Sequence, residues 1–234
     1  MSFLPYLSAI VPLYNERENI GRLSVEIGKA LDLLPYETEA IFVDDGSTDG
    51  SSEILNSIAS CRKGTKIIRL AKNMGKHKAL ERAFRESRGE IVVTLDGDLQ
   101  NDPIDIAAIV SRIAEGFDVV CGWRHRRNDP RWKRARSLAA NAIQRAVTGL
   151  DVHDLGCGLR GYRRHVLDGI TLRHRYDIEL LPLSIAGTYA VGEVKVGHRR
   201  RVNGVSKYPA IRTAIGISAA YFKLLFRKMS SPSS

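Results

Sequence analysis

Cysteine is scarce in these 234 residues: Cys61, Cys121 and Cys157 are odd in number and far apart. Neither a disulfide framework nor a thiolate metal cluster can be built on that spacing, and a reducing compartment suits it best. Long apolar runs are missing too. None approaches the ~20 residues that a membrane-spanning helix needs. The opening MSFLPYLSAIVPLYNE has no basic residues ahead of its short apolar run, so no secretory signal is expected. Internal repeats are absent, and the one biased stretch is the tail SSPSS at 230–234, expected to be disordered. Acidic residues are in deficit, 26 against 36 Lys and Arg, which leaves a net charge of +10 and a pI near 9.7. Such a surplus points to an anionic partner: nucleic acid, a phosphorylated substrate or an acidic membrane surface. Aromatic residues make up only 7 %. The basic stretches lack the interleaved rings of a base-stacking surface, and nucleic acid is the least favoured of the three.

What is present is a regular alternation. Apolar, β-branched runs at 7–13, 39–45, 65–71, 90–96 and 117–123 read as buried strands. Amphipathic stretches follow the first four: Glu16 to about Leu34, the segment after TDGSS, 77–87, and PIDIAAIVSRIAEG with Pro103 at a favoured first helical position. This is the pattern of an α/β, Rossmann-like, mostly parallel sheet with helices on both faces. After residue 123 the character changes. RHRRNDPRWKRAR carries seven Arg or Lys, a helix is predicted over 131–149, and two further strands are suggested by GCGLRGYRRHVL and VGEVKVGHRR. The domain is expected to end near 208, followed by an amphipathic helix over 209–229.

In such sheets ligands bind beyond the carboxyl ends of the strands, near the point where strand order reverses. Polar clusters lie there four times: YNE, DDGSTD, KNMGKHK and DGDLQ. In the last of these, Asp96 and Asp98 at i and i+2 would point the same way from extended backbone, with Gly97 allowing close approach between them. Two carboxylates so close repel unless something positive lies between them. A hard divalent cation, Mn²⁺ or Mg²⁺, held by few protein oxygens and completed by phosphates and water, suits that pattern, with Gln100 as a further oxygen donor. The bland alternative is turn and cap chemistry, which DDGSTDG also fits. Asp44, at the end of the second strand, is placed to accept hydrogen bonds from a base or ribose.

Five stretches in order, IVPLYNE, FVDDGSTDGS, LAKNMGKHKAL, VTLDGDLQNDP and RVNGVSKY, resemble the motifs of family 2 glycosyltransferases of the GT-A fold. The resemblance covers residues 8 to about 210 and is nearer to the polyprenyl-phosphate glycosyltransferase branch, which includes dolichol-phosphate mannose synthase. It implies that Pro12, Tyr14, Asn15, Glu16 and Asp44 hold the nucleotide, with Asp45 and Ser47 in the same motif. Asp96 and Asp98 correspond to the metal-binding D-x-D and Gln100 to a nearby glutamine. Arg201, Ser206 and Lys207 match an R-x-x-G-x-S-K element that gathers positive charge around phosphates. Arg124 and Arg127 fall where arginines approach the donor diphosphate or the acceptor phosphate. Two departures stand out: Ala83 where glycine is common, and a heavier basic run, HRRR, at 198–201.

The expected reaction is inverting transfer of a sugar from a GDP- or UDP-sugar to a polyprenyl phosphate. A phosphate acceptor is already anionic, so no base is required to activate it; Asp154, Asp177 and Glu179 are the carboxylates to weigh for that role otherwise. Asp98, Arg124, Arg127, Arg201 and Lys207 are the expected catalytic set. Such an acceptor places the protein on the cytoplasmic face of a membrane. The 209–229 segment then lies in the interface or packs on its own domain or on a homodimer mate; a membrane-anchoring partner is the other candidate. Transfer to a hydroxyl acceptor is the runner-up. A haloacid-dehalogenase-type phosphatase also ends a strand in D-x-D, but Gln100 stands where its Thr or Val would be.

Overall fold

Residues 7–13 show how this chain builds a two-sided core. Leu7, Ala9, Val11 and Leu13 project to one face of the strand and Ile10 to the other, and all five are buried. The computed structural model describes residues 4–125, 152–174, 177–185 and 188–200, apart from the side chains at 179, 180, 183 and 184. Arg127, Arg201, Ser206 and Lys207 lie outside the described residues, as do the 131–149 segment, the 209–229 helix and the tail.

Seven strands are described: β1 Leu7–Leu13, β2 Thr38–Asp44, β3 Thr65–Arg69, β4 Ile91–Thr94, β5 Val119–Arg124, β6 Arg160–Arg163 and β7 Val191–Val196. The helices are α1 Arg17–Asp32, α2 Ser51–Cys61, α3 Lys76–Glu86, α4 Ile106–Ala114 (entered through a 3-10 turn, Pro103–Asp105), α5 Arg164–Leu167 and α6 Asp177–Ile185. The strands form one sheet in the order β3-β2-β1-β4-β6-β5-β7. Every pairing is parallel except those of β6, which runs antiparallel to β4 and β5. That reversal was not readable in the sequence, because β6 is four residues long and its pattern does not encode direction.

Strand order turns back between β1 and β4, so the loops after these strands diverge and leave a crevice. One face of the sheet carries a cluster that includes Ile20, Leu23, Ile27, Leu31, Leu55, Ile106, Ile109 and Ile113 from α1, α2 and α4. The other carries Ala79, Leu80, Ala83 and Phe84 of α3, together with Val166, Leu167, Ile178 and Leu181. Ala83 sits fully buried on the inner side of α3, where its methyl group is accommodated. Cys121 and Cys157 are buried free thiols. Burial pushes them up to about 12 and about 11, far from the reactive range.

Candidate active site

Six strands send their carboxyl ends to one edge, and antiparallel β6 begins there. The first loop is held by the second. Asn15, in the left-handed region with φ 50°, donates its backbone N–H to Ser47 Oγ at 2.9 Å and accepts from the Thr48 N–H through Oδ1 at 2.8 Å. The Glu16 N–H donates to Ser51 Oγ at 3.2 Å and the Arg17 N–H to Asp49 Oδ2 at 3.1 Å. Asp44 is buried, accepts the Ser47 N–H at 2.8 Å and is also bonded by the Ser52 hydroxyl. Part of its accepting capacity therefore shapes its own loop. Asp49 accepts the Ser51 N–H at 3.0 Å, so it caps α2 from one residue before the N-cap, which is Gly50.

Asp45 reaches the third loop. Its two oxygens accept the Met74 and Gly75 N–H groups at 2.7 and 2.8 Å. Burial pushes its carboxyl up, and the two donors offset part of that rise. Gly46 has φ 71°, and a Cβ there would stand 2.5 Å from the Lys72 carbonyl carbon, so only glycine lets the second and third loops touch.

The third loop delivers Lys76, the first residue of α3, to the fourth. Lys76 Nζ lies 2.6 Å from Asp96 Oδ1. Burial raises the Asp96 carboxyl, but Lys76 outweighs it, aided by the charges of Arg124 and Arg160, and holds it below the usual carboxylate range. Repulsion between the paired carboxylates is thus relieved at Asp96 by a lysine. The Asp96 carboxylate lies against Gly158, where a Cβ would come within 2.1 Å of Oδ2. Asp98 Oδ1 accepts the Gln100 N–H at 3.1 Å across Leu99, a buried residue forced to φ 61°. Strain of that kind persists only where the surroundings over-determine it.

The far wall is built on two largely buried arginines. Arg124 forks onto Asp154 at 2.6 and 2.8 Å, with 14 % and 5 % of the two side chains exposed. Arg160, buried at the start of β6, donates to the Cys157 carbonyl at 3.0 Å and also to the Leu155 carbonyl. The Asp177 carboxylate accepts the Arg173 and His174 N–H groups at 2.7 and 2.8 Å, just ahead of α6. After β7 the chain returns across the fourth loop. His198 Nε2 lies 3.4 Å from Gln100 Nε2, and the Arg199 N–H donates to the Gln100 carbonyl at 2.9 Å.

Pro12, Tyr14, Asn15, Glu16, Asp44, Asp45, Ser47, Asp96, Gly97, Asp98, Gln100 and Arg124 are thereby all placed on the loops and strand ends of one sheet edge. Sequence reasoning missed Lys76, Gly158, Arg160, His198 and Arg199. The KNMGKHK cluster was a signal for Lys76 and the basic run HRRR at 198–201 for His198 and Arg199; Arg160 carried none, being one arginine among many. Asp98 and Gln100 offer oxygen donors on a single turn, a set that fits a hard cation completed by phosphate and water. Among the described residues no group of three or more His, Cys, Asp or Glu assembles a cation site without such help.

Comparison with known proteins gives this edge its context. Residues 8–171 match the family described as Glycosyl transferase family 2. The chain belongs to that family. Among curated relatives, the undecaprenyl-phosphate 4-deoxy-4-formamido-L-arabinose transferase of Pseudomonas paraeruginosa is 39 % identical over 210 residues, 88 % of this chain and 61 % of that protein. The dodecaprenyl-phosphate galacturonate synthase of Rhizobium johnstonii is 36 % identical over 217 residues, 88 % and 63 % of the two chains. This chain spans about three-fifths of the length of these relatives. A solved structure of glucosyl-3-phosphoglycerate synthase from Mycobacterium tuberculosis, in complex with Mn²⁺, UDP and glucosyl-3-phosphoglycerate, superposes with a TM-score of 0.72. It covers 98 % of this chain and 82 % of its own at 20 % identity, a likeness of fold alone. Among the described residues no helix is long and apolar enough to cross a membrane.

Proposed function

We propose that this family 2 glycosyltransferase moves a sugar, with inversion, from a nucleoside-diphosphate sugar to a polyprenyl phosphate at the cytoplasmic membrane surface. The observation that carries the reading is the contrast across one crevice. An oxygen-donor turn, Asp98 to Gln100, shares one sheet edge with Lys76, Arg124 and Arg160, a gathering of both signs of charge that suits two phosphorylated substrates. The names of the two polyprenyl-phosphate relatives support the acceptor class.

The loops carrying Tyr14 to Glu16 and Asp44 to Ser47 hold the nucleotide. A divalent cation held by Asp98 and Gln100, with Asp96 beside them, would supply charge neutralisation for the departing diphosphate. An acceptor phosphate oxygen attacks the anomeric carbon as the bond to the diphosphate oxygen breaks, and the electron pair leaves with the nucleoside diphosphate. The attacking oxygen is already anionic, so no proton has to be removed. The state of two acceptor-side carboxylates supports this: Asp154 is engaged by Arg124, and Asp177 accepts backbone donors ahead of α6. Arg124, with Arg127, Arg201 and Lys207, counters the repulsion between the two phosphate groups.

The test is transfer of labelled sugar from a panel of GDP- and UDP-sugars to undecaprenyl phosphate, with Mn²⁺ or Mg²⁺ against chelator. Asp98→Ala should lose more than the roughly 10–100-fold typical of an outer-shell change. Label appearing only on a hydroxyl acceptor would refute the lipid-phosphate assignment and keep the cation site.

A further inference from the structure

Arg199 belongs to none of the motifs that pointed to function, yet it joins three segments distant in sequence. Its guanidinium places Nη1 2.5 Å from Glu26 on α1 and Nη2 2.5 Å from Asp102, two residues beyond Gln100. Its backbone N–H holds the Gln100 carbonyl at 2.9 Å. The preceding residue but one repeats the device, since the Gly197 N–H donates to Asp105 Oδ2 at 2.7 Å. The turn from Asp98 to Asp105 is therefore gripped along its length by the segment that follows β7.

We propose that Arg199 is a positioning residue that fixes the Asp98–Gln100 turn and thereby sets its affinity for a divalent cation. The inference rests on the reading of that turn as a cation site. The turn contains Leu99 at φ 61°, a conformation a leucine leaves unless held. Gln100 is tied to Asp98 through its own N–H and to Arg199 through its carbonyl, so a shift of the strut moves both oxygen donors. Two carboxylates converge on one guanidinium, each on its own terminal nitrogen, and the planar fork fixes both in a geometry that the compact, flexible ammonium of lysine does not reproduce. With only two or three protein donors, the cation's affinity depends on how well those few are preplaced. Residues that orient metal ligands change metal affinity by roughly 10–100-fold when removed.

The experiment uses the full chain and its Arg199→Gln, Arg199→Lys and Glu26→Gln variants. Mn²⁺ binding is read from the electron paramagnetic resonance signal of free Mn²⁺ in the presence of UDP or GDP. Amide hydrogen exchange across residues 98–105 and thermal unfolding are recorded alongside. Arg199→Gln should weaken Mn²⁺ binding about tenfold or more and accelerate exchange in the turn. Arg199→Lys should fall between it and the wild type, and Glu26→Gln, which reaches the turn through Arg199, should weaken binding in the same direction. Wild-type Mn²⁺ affinity in Arg199→Gln and Glu26→Gln, even with lowered melting temperatures, would make Arg199 a fold-stabilising ion pair and overturn the proposal. A wild-type protein that binds nucleotide but gains no Mn²⁺ with it would instead overturn the cation reading, and the strut's purpose with it.

Discussion

Lys76 and Asp96 share a 2.6 Å ion pair with 26 % and 33 % of their side chains exposed. A pair so placed lies between the surface case, worth little, and the buried case, where removing one partner is costly. Asp96 has a folded-state pKa below its unfolded value of about 3.9. It therefore contributes stability that is present above that value and lost as pH falls through the folded pKa. Lys76→Met should cost about 2 kcal/mol at neutral pH, or roughly 4–8 °C in melting temperature. The gap to wild type should narrow as pH falls below the unfolded value and through the lower folded-state pKa of Asp96. Thermal unfolding from pH 3 to 8 checks this. A gap constant across that range would mean that Lys76 acts through packing rather than charge.

At the scale of elements, the site is a set of loops that brace one another. The first two are joined through Asn15 and Ser47, and the second and third through Asp45. Asp45 also sets where α3 begins, because Met74 and Gly75 immediately precede Lys76. Asp45→Ala leaves the part-buried Met74 and Gly75 N–H groups without their acceptor, a cost of about 1 kcal/mol where water can partly replace it. Nucleotide affinity should fall about tenfold, the equivalent of about 1.4 kcal/mol of preorganisation, by titration calorimetry with UDP and GDP. Unaltered affinity in a less stable variant would limit the clamp to holding the fold.

For the whole molecule, the surplus of +10 must be reconciled with an edge that begins in acidic loops. Lys76, Arg124 and Arg160 stand behind those loops, and in sequence the basic runs RHRRNDPRWKRAR and HRRR carry much of the surplus. Each basic residue near an anionic leaflet is worth about 1 kcal/mol and acts within a Debye length. Cosedimentation with vesicles of phosphatidylglycerol and phosphatidylcholine should therefore be strong at about 50 mM NaCl and largely lost at about 500 mM. Vesicles of phosphatidylcholine alone should bind far less. Equal binding to both would point to apolar insertion, and binding to neither would refute the membrane-surface reading.

Much of this was legible in the sequence. Strand and helix periods set the order of elements, because burial on two faces leaves a β-branched run few alternatives. Four polar clusters, each following a strand, placed the crevice at one sheet edge. Tertiary structure alone decided what opposes them. Lys76 meets Asp96 from another loop, and Arg124 finds Asp154 30 residues away. Gly158 gives Asp96 its room from just ahead of an antiparallel strand whose direction no local pattern encodes. Arg199 grips Asp102 across 97 residues. Such pairings depend on which loops the sheet order makes neighbours, and a sequence full of arginines does not say which one will be at the site.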